Sequence, residues 1–546
     1  MFVLSSILSL FDAITASSVM EIYEGQTFPL VKQYYIMTER YRFIESSTRS
    51  LSMNFPSRAK KDRYYSDKEL HAKAYIDIFN NDAATVSQDY SDHINKLPDC
   101  ILLQVFRRLH PLDFVHSLSL VCKRWNLLVQ YNGLWKDVRV TASKQSLETG
   151  ALRRFLTKVN NGIKRLSIDY SFGAQVSLIT GALPKYMNTV TLLDMSGIEG
   201  FGEGITVDLW QKLIECFTNV ETLNIARTNM LPLDGDVFAL IPLFFGENSF
   251  RKIRRFICGS FYPFEIPEPP AQELFLSALW RWNRPLELLS FPRNVREYPG
   301  ISKAPFAETL TVLHLSDVQE EDDFMVITEL INLKELFLGG LLGIDHSLVG
   351  IKKLSNLVHL HFNGCGEDGG FTDSGFVSLF ELPEADEKNI FPSKLKHLKL
   401  VDCYRLYERA AGALARNCLA LESLNISGNC SIGESGLSTI VETLRELRFL
   451  NISNFGDEMP CSAIRNIEDE SLPYLKYLRL HRTKIPEEVL RELQLRRKNL
   501  IISPRPDHIL TFTVHNGSPQ FDEQFTGNMN SLENDLLEQP GYCCMN

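Results

Sequence analysis

From Leu97 to Trp135 the apolar residues fall into three short groups, each with helical spacing. Ile101, Leu102, Val105, Phe106 and Leu109 lie at i, i+1, i+4, i+5 and i+8, one stripe of a helix that begins just after Pro98. Proline suits a helix start, because its missing N–H would be unpaired there anyway and its fixed φ is already helical. Phe114, Leu118 and Val121 mark a second segment, and Trp125, Leu128 and Val129 a third. A unit this small cannot cover all of its own apolar surface. Its aromatic and aliphatic residues predict either docking on the rest of the chain or a face completed by another protein.

After Trp135 the period changes. Leu357-x-x-Leu360-x-Phe362-x-x-Cys365, Leu395-x-x-Leu398-x-Leu400-x-x-Cys403 and Leu421-x-x-Leu424-x-Ile426-x-x-Asn429 share one template, and looser copies run from Ile163 to Leu480. The second leucines Leu313, Leu336 and Leu360 are 23 and 24 apart, and Leu398, Leu424, Leu450 and Leu478 are 26, 26 and 28 apart. That is the period of a leucine-rich repeat. Each Leu-x-Leu is a short strand with alternate side chains pointing inward, and the small ninth residue turns the chain. Between strands the pattern is helical, as at Leu437, Ile440, Val441 and Leu444. About twelve such units in a row make a continuous core that no single unit could close. The template weakens at Ile253-x-x-Phe256-x-Cys258 and Leu286-x-x-Leu289-x-Phe291, with a proline-rich loop expected over Pro263–Pro270. The long interval from Leu360 to Leu398 contains the acidic stretch Glu381–Glu387, which predicts a protruding loop.

Leu97-Pro98, Ile101-Leu102, Val105-Phe106, Leu109, Leu112-Asp113, Val121-Cys122-x-x-Trp125 and Leu134-Trp135 closely resemble the F-box, in order and spacing. The resemblance implies that residues 94–139 dock on a Skp adaptor, which in turn holds a cullin and a RING subunit. Leu97, Pro98, Ile101, Leu102, Phe106, Leu112, Val121, Cys122, Trp125, Leu134 and Trp135 are the expected adaptor-binding residues. The copies with Cys365 and Cys403, with Thr372-Asp373-x-Gly375 and Asn417-Cys418-x-x-Leu421, resemble the cysteine-containing repeats of F-box and leucine-rich-repeat proteins. The expected fold is therefore α/β: a small three-helix F-box followed by a leucine-rich-repeat solenoid over residues 160–505, a curved horseshoe. Residues 1–92 are expected to be irregular, with a Ser-rich and then basic stretch, and residues 506–546 a disordered tail.

A net charge of −10 argues against bulk nucleic-acid binding. Eleven cysteines in 546 residues, with no zinc-like pairing, point to a reducing compartment rather than a disulfide framework. No run is long and apolar enough to cross a membrane. Phe2 to Phe11 looks somewhat like a signal-peptide core but lacks a basic flank, and Asp12 follows at once. Cys543 occupies the prenylation position of a C-terminal Cys-Cys-Met-Asn, a weak box, so membrane attachment is expected only if it is lipidated. The expected location is cytoplasmic, nuclear or both.

Recognition is placed on the strand face opposite the inward leucines. Read copy by copy, that face carries Val312 and His314, Glu335 and Phe337, His359 and His361, His397 and Lys399, Ser423 and Asn425, Phe449 and Asn451, then Tyr477 and Arg479, with Arg482 beyond. His359, His361, His397, Lys399, Phe449, Tyr477, Arg479 and Arg482 are the expected target-binding residues, suited as a basic and aromatic strip to an acidic or phosphorylated segment. A zinc site at His359, His361 and His397 lacks a thiolate or carboxylate to complete four ligands, so neither metal nor cofactor is expected. No catalytic motif is present: Gly200-x-Gly202-x-Gly204 has its third glycine one residue early for a dinucleotide loop. The expected function is that of a substrate-recognition subunit of a Skp-cullin-F-box ubiquitin ligase, without chemistry of its own. The alternatives are a leucine-rich-repeat scaffold with no ligase role, or a secreted repeat receptor, which sequons at Asn425, Asn451 and Asn516 would suit.

Overall fold

The structure, a computed structural model, describes residues 97–107, 118–135 and, with interruptions at loops, 139–525. Residues 1–96, Leu109, Leu112, Cys365, the Gly200–Gly204 and Glu381–Glu387 motifs apart from Glu381 itself, Asn516 and Cys543 lie outside the described residues. The chain divides into two compact units, one carrying the helices of residues 97–135 and the other the strands from Leu166 onward.

The first unit contains α1 (Asp99–Phe106), α2 (Ser119–Val121), α3 (Lys123–Val129) and α4 (Asn132–Trp135). Pro98 has extended backbone just before α1, which begins directly after it as the spacing predicts, and the Pro98 carbonyl accepts from the Ile101 and Leu102 N–H groups at 3.0 and 3.1 Å. Cys122 starts α3, its sulfur accepting from the Trp125 N–H at 3.4 Å.

The strands are β1 (Arg139–Thr141), β2 (Arg165–Ser167), β3 (Leu192–Asp194), β4 (Thr222–Asn224), β5 (Arg255–Ile257), β6 (Leu288–Ser290), β7 (Val312–Ser316) and β8 (Glu335–Gly339). They continue as β9 (His359–Asn363), β10 (His397–Val401), β11 (Ser423–Asn425), β12 (Phe449–Asn451), β13 (Tyr477–Arg479) and β14 (Ile501–Ser503). From β3 to β14 each strand pairs in parallel with the next in sequence. Such an order needs a return segment after every strand, and helices such as Glu408–Asn417 and Gly433–Thr443 supply it.

The register aligns one inward residue per strand: Leu193, Leu223, Phe256, Leu289, Leu313, Leu336, Leu360, Leu398, Leu424, Leu450, Leu478 and Ile502. None is more than 1% exposed. Phe256 and Leu289, from the two weak copies, occupy this spine as fully as the leucines do. Leu437, Ile440, Val441 and Leu444 are buried against it, as their spacing predicts.

Four residues beyond the spine position the chain turns through the left-handed region: Gly340 at φ 59°, Gly364 at 62°, Asp402 at 53°, Gly428 at 79°, Asn454 at 57° and Arg482 at 51°. From Gly340 to Asn454 the N–H of each of these residues donates to a carbonyl of the following repeat, at 2.8 to 3.0 Å. The turns thus form a hydrogen-bonded ladder of their own. One residue further, Asn429 is fully buried, its Oδ1 accepting from the Cys403 N–H at 2.8 Å. Cys403 is itself buried and structural, as the template implies.

Two expectations are corrected. Pro269 and Pro270 are the first residues of a helix, Pro269–Trp280, rather than part of the loop, because a helix start tolerates the missing N–H. Residues 506–546 are not wholly irregular: β15 (His508–His515) and β16 (Ser518–Phe525) form an antiparallel hairpin, and β15 pairs with β14 through Ile502 and Leu510. A strand at the end of the ladder offers unpaired backbone groups, which the hairpin takes up.

Candidate interaction surfaces

In the helical unit, packing separates the expected adaptor-binding residues into two groups. Leu102, Phe106, Trp125, Leu134 and Trp135 are buried, none more than 2% exposed. Phe106 and Trp125 meet edge to face with ring centroids 5.1 Å apart, and the Trp135 indole donates to the Val129 carbonyl at 2.7 Å. These five are core, which corrects the expectation that they touch an adaptor. Pro98 and Val121 are exposed, and Leu97, Ile101 and Cys122 are half-buried. Arg124 ties the start of α1 to α3, donating to Asp99 Oδ1 at 2.8 Å through Nε and to the Leu97 carbonyl at 2.6 Å. The most accessible large apolar residues among those described in this unit are ones outside the F-box spacing: Leu120 at 75%, Leu127 at 70% and Tyr131 at 53% exposure. Leu127 lies off the apolar stripe of α3 and Tyr131 just beyond its end, and that position is the signal that marks them.

In the ladder, the outward face carries two rows in register. One runs Val312, Glu335, His359, His397, Ser423, Phe449, Tyr477; the other runs His314, Phe337, His361, Lys399, Asn425, Asn451, Arg479. His314 Nε2 and Glu335 Oε1 are 3.0 Å apart. The His359 and His397 rings stack in parallel with centroids at 4.2 Å. His361 meets the edge of Phe337 and Arg479 lies over the Phe449 ring, 5.8 Å from its centroid.

Residues 94–141 match the F-box-like family model. The chain thus carries an F-box-like segment followed in sequence by leucine-rich-repeat strands. Putative F-box/LRR-repeat protein 9 of Arabidopsis thaliana is 30% identical over 95 residues, 17% of this chain and 39% of that protein, so the match spans well under half of the relative. Solved structures with similarity include the Rad7 and Elc1 complex in yeast, 14% identical over 78% of this chain and 97% of that one, with a TM-score of 0.45. An internalin, inlF, of Listeria monocytogenes is 16% identical over 63% of this chain and 74% of that one, with a TM-score of 0.27.

The strand face differs from a basic strip in its charge. Burial pushes the His397 imidazole down to about 3, with the stacked His359 adding to the effect. Burial likewise lowers His359, although Glu335 opposes it, and holds His361 well below the ordinary histidine range, helped by Lys399 and the neighbouring imidazoles. At neutral pH these three rings are therefore uncharged. Burial pushes the Glu335 carboxyl up, but His314 outweighs it and holds the group below its ordinary value. Phe449 and Arg479 are buried, Arg482 is exposed on a left-handed turn, and Lys399, His359, His397 and Tyr477 remain half-exposed. Of the residues expected to capture a target, this leaves Lys399 and Arg482 as accessible cations. Among the described residues no cluster of His, Cys, Asp or Glu has the arrangement of a metal site.

Asn425 and Asn451 are also buried, each Oδ1 accepting from a serine N–H two residues on, at 3.0 Å. Neither presents its amide for glycosylation. That removes two of the three sequons behind the secreted reading.

Proposed function

We propose that this chain is a substrate-recognition subunit of a Skp-cullin-F-box ubiquitin ligase. The observation that carries the reading is the F-box-like match over 94–141 on a unit that keeps a packed aromatic core while exposing Leu120, Leu127 and Tyr131. Exposed apolar residues of that size on so small a unit suit a protein partner, and the Skp adaptor is the partner that the F-box implies. The strand face of the repeats then holds the target. The chain performs no chemistry: it raises the effective concentration of target lysines near a conjugating enzyme carried by the cullin and RING subunits. Work on such targets places it in the cytoplasm, the nucleus or both.

The test is co-purification with the Skp adaptor. The intact protein retains the adaptor, and Leu127→Glu with Leu120→Glu abolishes retention while the far-UV spectrum and melting temperature stay unchanged. Failure of the intact protein to retain the adaptor overturns the ligase reading and leaves a repeat scaffold.

A further inference from the structure

Strands β8, β9 and β10 bring Glu335, Phe337, His359, His361, His397 and Lys399 onto adjoining positions of one face. Two polar atoms of this patch are buried without a hydrogen-bond partner: His361 Nε2, on a residue only 9% exposed, and His397 Nδ1. A buried polar atom left unpaired is costly, and a ligand group that reaches it recovers the loss. The parallel rings of His359 and His397, with centroids 4.2 Å apart, cannot both become cations at that separation without strong repulsion. The stack therefore holds one proton at most.

Among the described residues the charged and titratable groups that face this stack come from β7 to β10 and the approaches to β10 and β11. From β7 and β8 come His314 and Glu335, joined to each other at 3.0 Å. From β9 itself comes His361, enclosed and neutral. From β10 and its approach come Lys399 and Lys396, and before β11 comes Glu422, which pairs with Lys396 at 2.6 Å. Each carboxylate thus has a partner, His314 for Glu335 and Lys396 for Glu422, and the middle of the patch is a set of neutral imidazoles beside Lys399, whose charge also acts on Glu335.

Resting on the reading of this face as the target-holding surface, we infer that the patch is a proton-linked anion subsite. A carboxylate or phosphate of the captured segment docks beside Lys399, and the His359–His397 stack takes up one proton from solvent as it does so. The physical reason is reciprocal: the anion lowers the cost of an imidazolium, and the imidazolium strengthens the hold on the anion. Burial of both rings keeps them neutral in the empty site, so the proton arrives with the ligand rather than before it.

The experiment is calorimetric titration of the full chain with two probes, an N-acetylated and C-amidated octaglutamate peptide and the same peptide with one central phosphoserine. Each is run near pH 7 in two buffers of different ionisation heat. The expected result is uptake of close to one proton per peptide and an affinity that rises about tenfold for each pH unit of acidification. Tighter binding of the phosphoserine peptide identifies phosphate as the anion, and equal binding identifies carboxylate. His359→Phe with His397→Phe keeps two stacked rings, so it retains peptide binding but loses the buffer dependence and the pH slope. Lys399→Ala loses binding. Peptide binding with no proton uptake and a flat pH profile overturns the proton linkage. Absence of binding by both peptides at pH 6, or binding indifferent to Lys399→Ala, overturns the anion subsite. The receptor reading is separate, since it stands on adaptor retention.

Discussion

At Trp125 and Leu127, two residues apart on α3, the same short helix serves two purposes. Trp125 packs against Phe106 and is buried, so Trp125→Ala leaves a cavity and costs the helical unit about 3–5 kcal/mol. Leu127 is exposed, and Leu127→Glu leaves stability within about 0.5 kcal/mol. Thermal melts of the two variants check the contrast, and equal losses would refute the division into core and surface. His397 makes a second prediction at this scale. Its imidazole titrates near 3 in the folded chain and near the ordinary 6.5 when unfolded, so between those values the unfolded chain binds more protons. Stability therefore falls as pH drops below 6.5, and by pH 5 the contribution lost at His397 is about 2 kcal/mol. His397→Phe keeps the ring and removes this loss, so its melting temperature declines less between pH 7.5 and pH 5. A variant with the wild-type decline would show that other groups set the pH dependence. Glu335, held below its ordinary value, stabilises the folded chain above the ordinary carboxylate range, and that contribution is lost only as pH falls through and below it.

At the scale of the element, each repeat from Leu336 to Leu478 is closed by a strand, a left-handed turn residue and a returning helical segment. The turn needs a positive φ, which costs an L-residue about 1–2 kcal/mol and glycine nothing. At Gly364 a Cβ would meet no atom within 4 Å, so Gly364→Ala carries only that backbone cost. At Gly428 a Cβ would run into the Asp402 carboxylate and also lie 3.2 Å from the Asp402 Cα, which cannot swing away, so Gly428→Ala is the more destabilising of the two. Arg482, already strained at φ 51°, is expected to gain about 1 kcal/mol on change to glycine. Urea melts of the three variants rank them, and a stabilised Gly428→Ala would refute the turn assignment. The same geometry explains why Arg482 is a poor member of a strand face: its backbone serves the turn.

At the scale of the ladder, the inward residues from Leu193 to Ile502 stack strand on strand, so each repeat is buried by its neighbours and the last one needs an end. The β15–β16 hairpin supplies it on β14. A chain ending at Ser503 bares the β14 edge and is expected to self-associate with rising concentration, as sedimentation velocity would show. A monomeric truncated chain would mean that the hairpin protects nothing.

Much of this was legible beforehand, since the spine recurs every 23 to 28 residues through Leu313–Leu360 and Leu398–Leu478 and the F-box spacing is carried by single residues. Periodicity reports which side chains share a row, because a parallel ladder repeats the same position in every turn. It cannot report depth. Leu102, Phe106, Trp125 and Trp135 read as partner contacts because an apolar residue looks the same in a core as on a surface, and only helix packing tells the two apart. Nor does a row of histidines reveal its charge, which depends on how far neighbouring strands withdraw His359, His361 and His397 from water. The sequence by itself determined the repeat, its register and the F-box-like segment, since those depend on spacing along the chain. The tertiary structure alone decided which apolar residues face a partner and which imidazoles stay neutral, since burial and mutual repulsion arise only when distant residues are brought side by side.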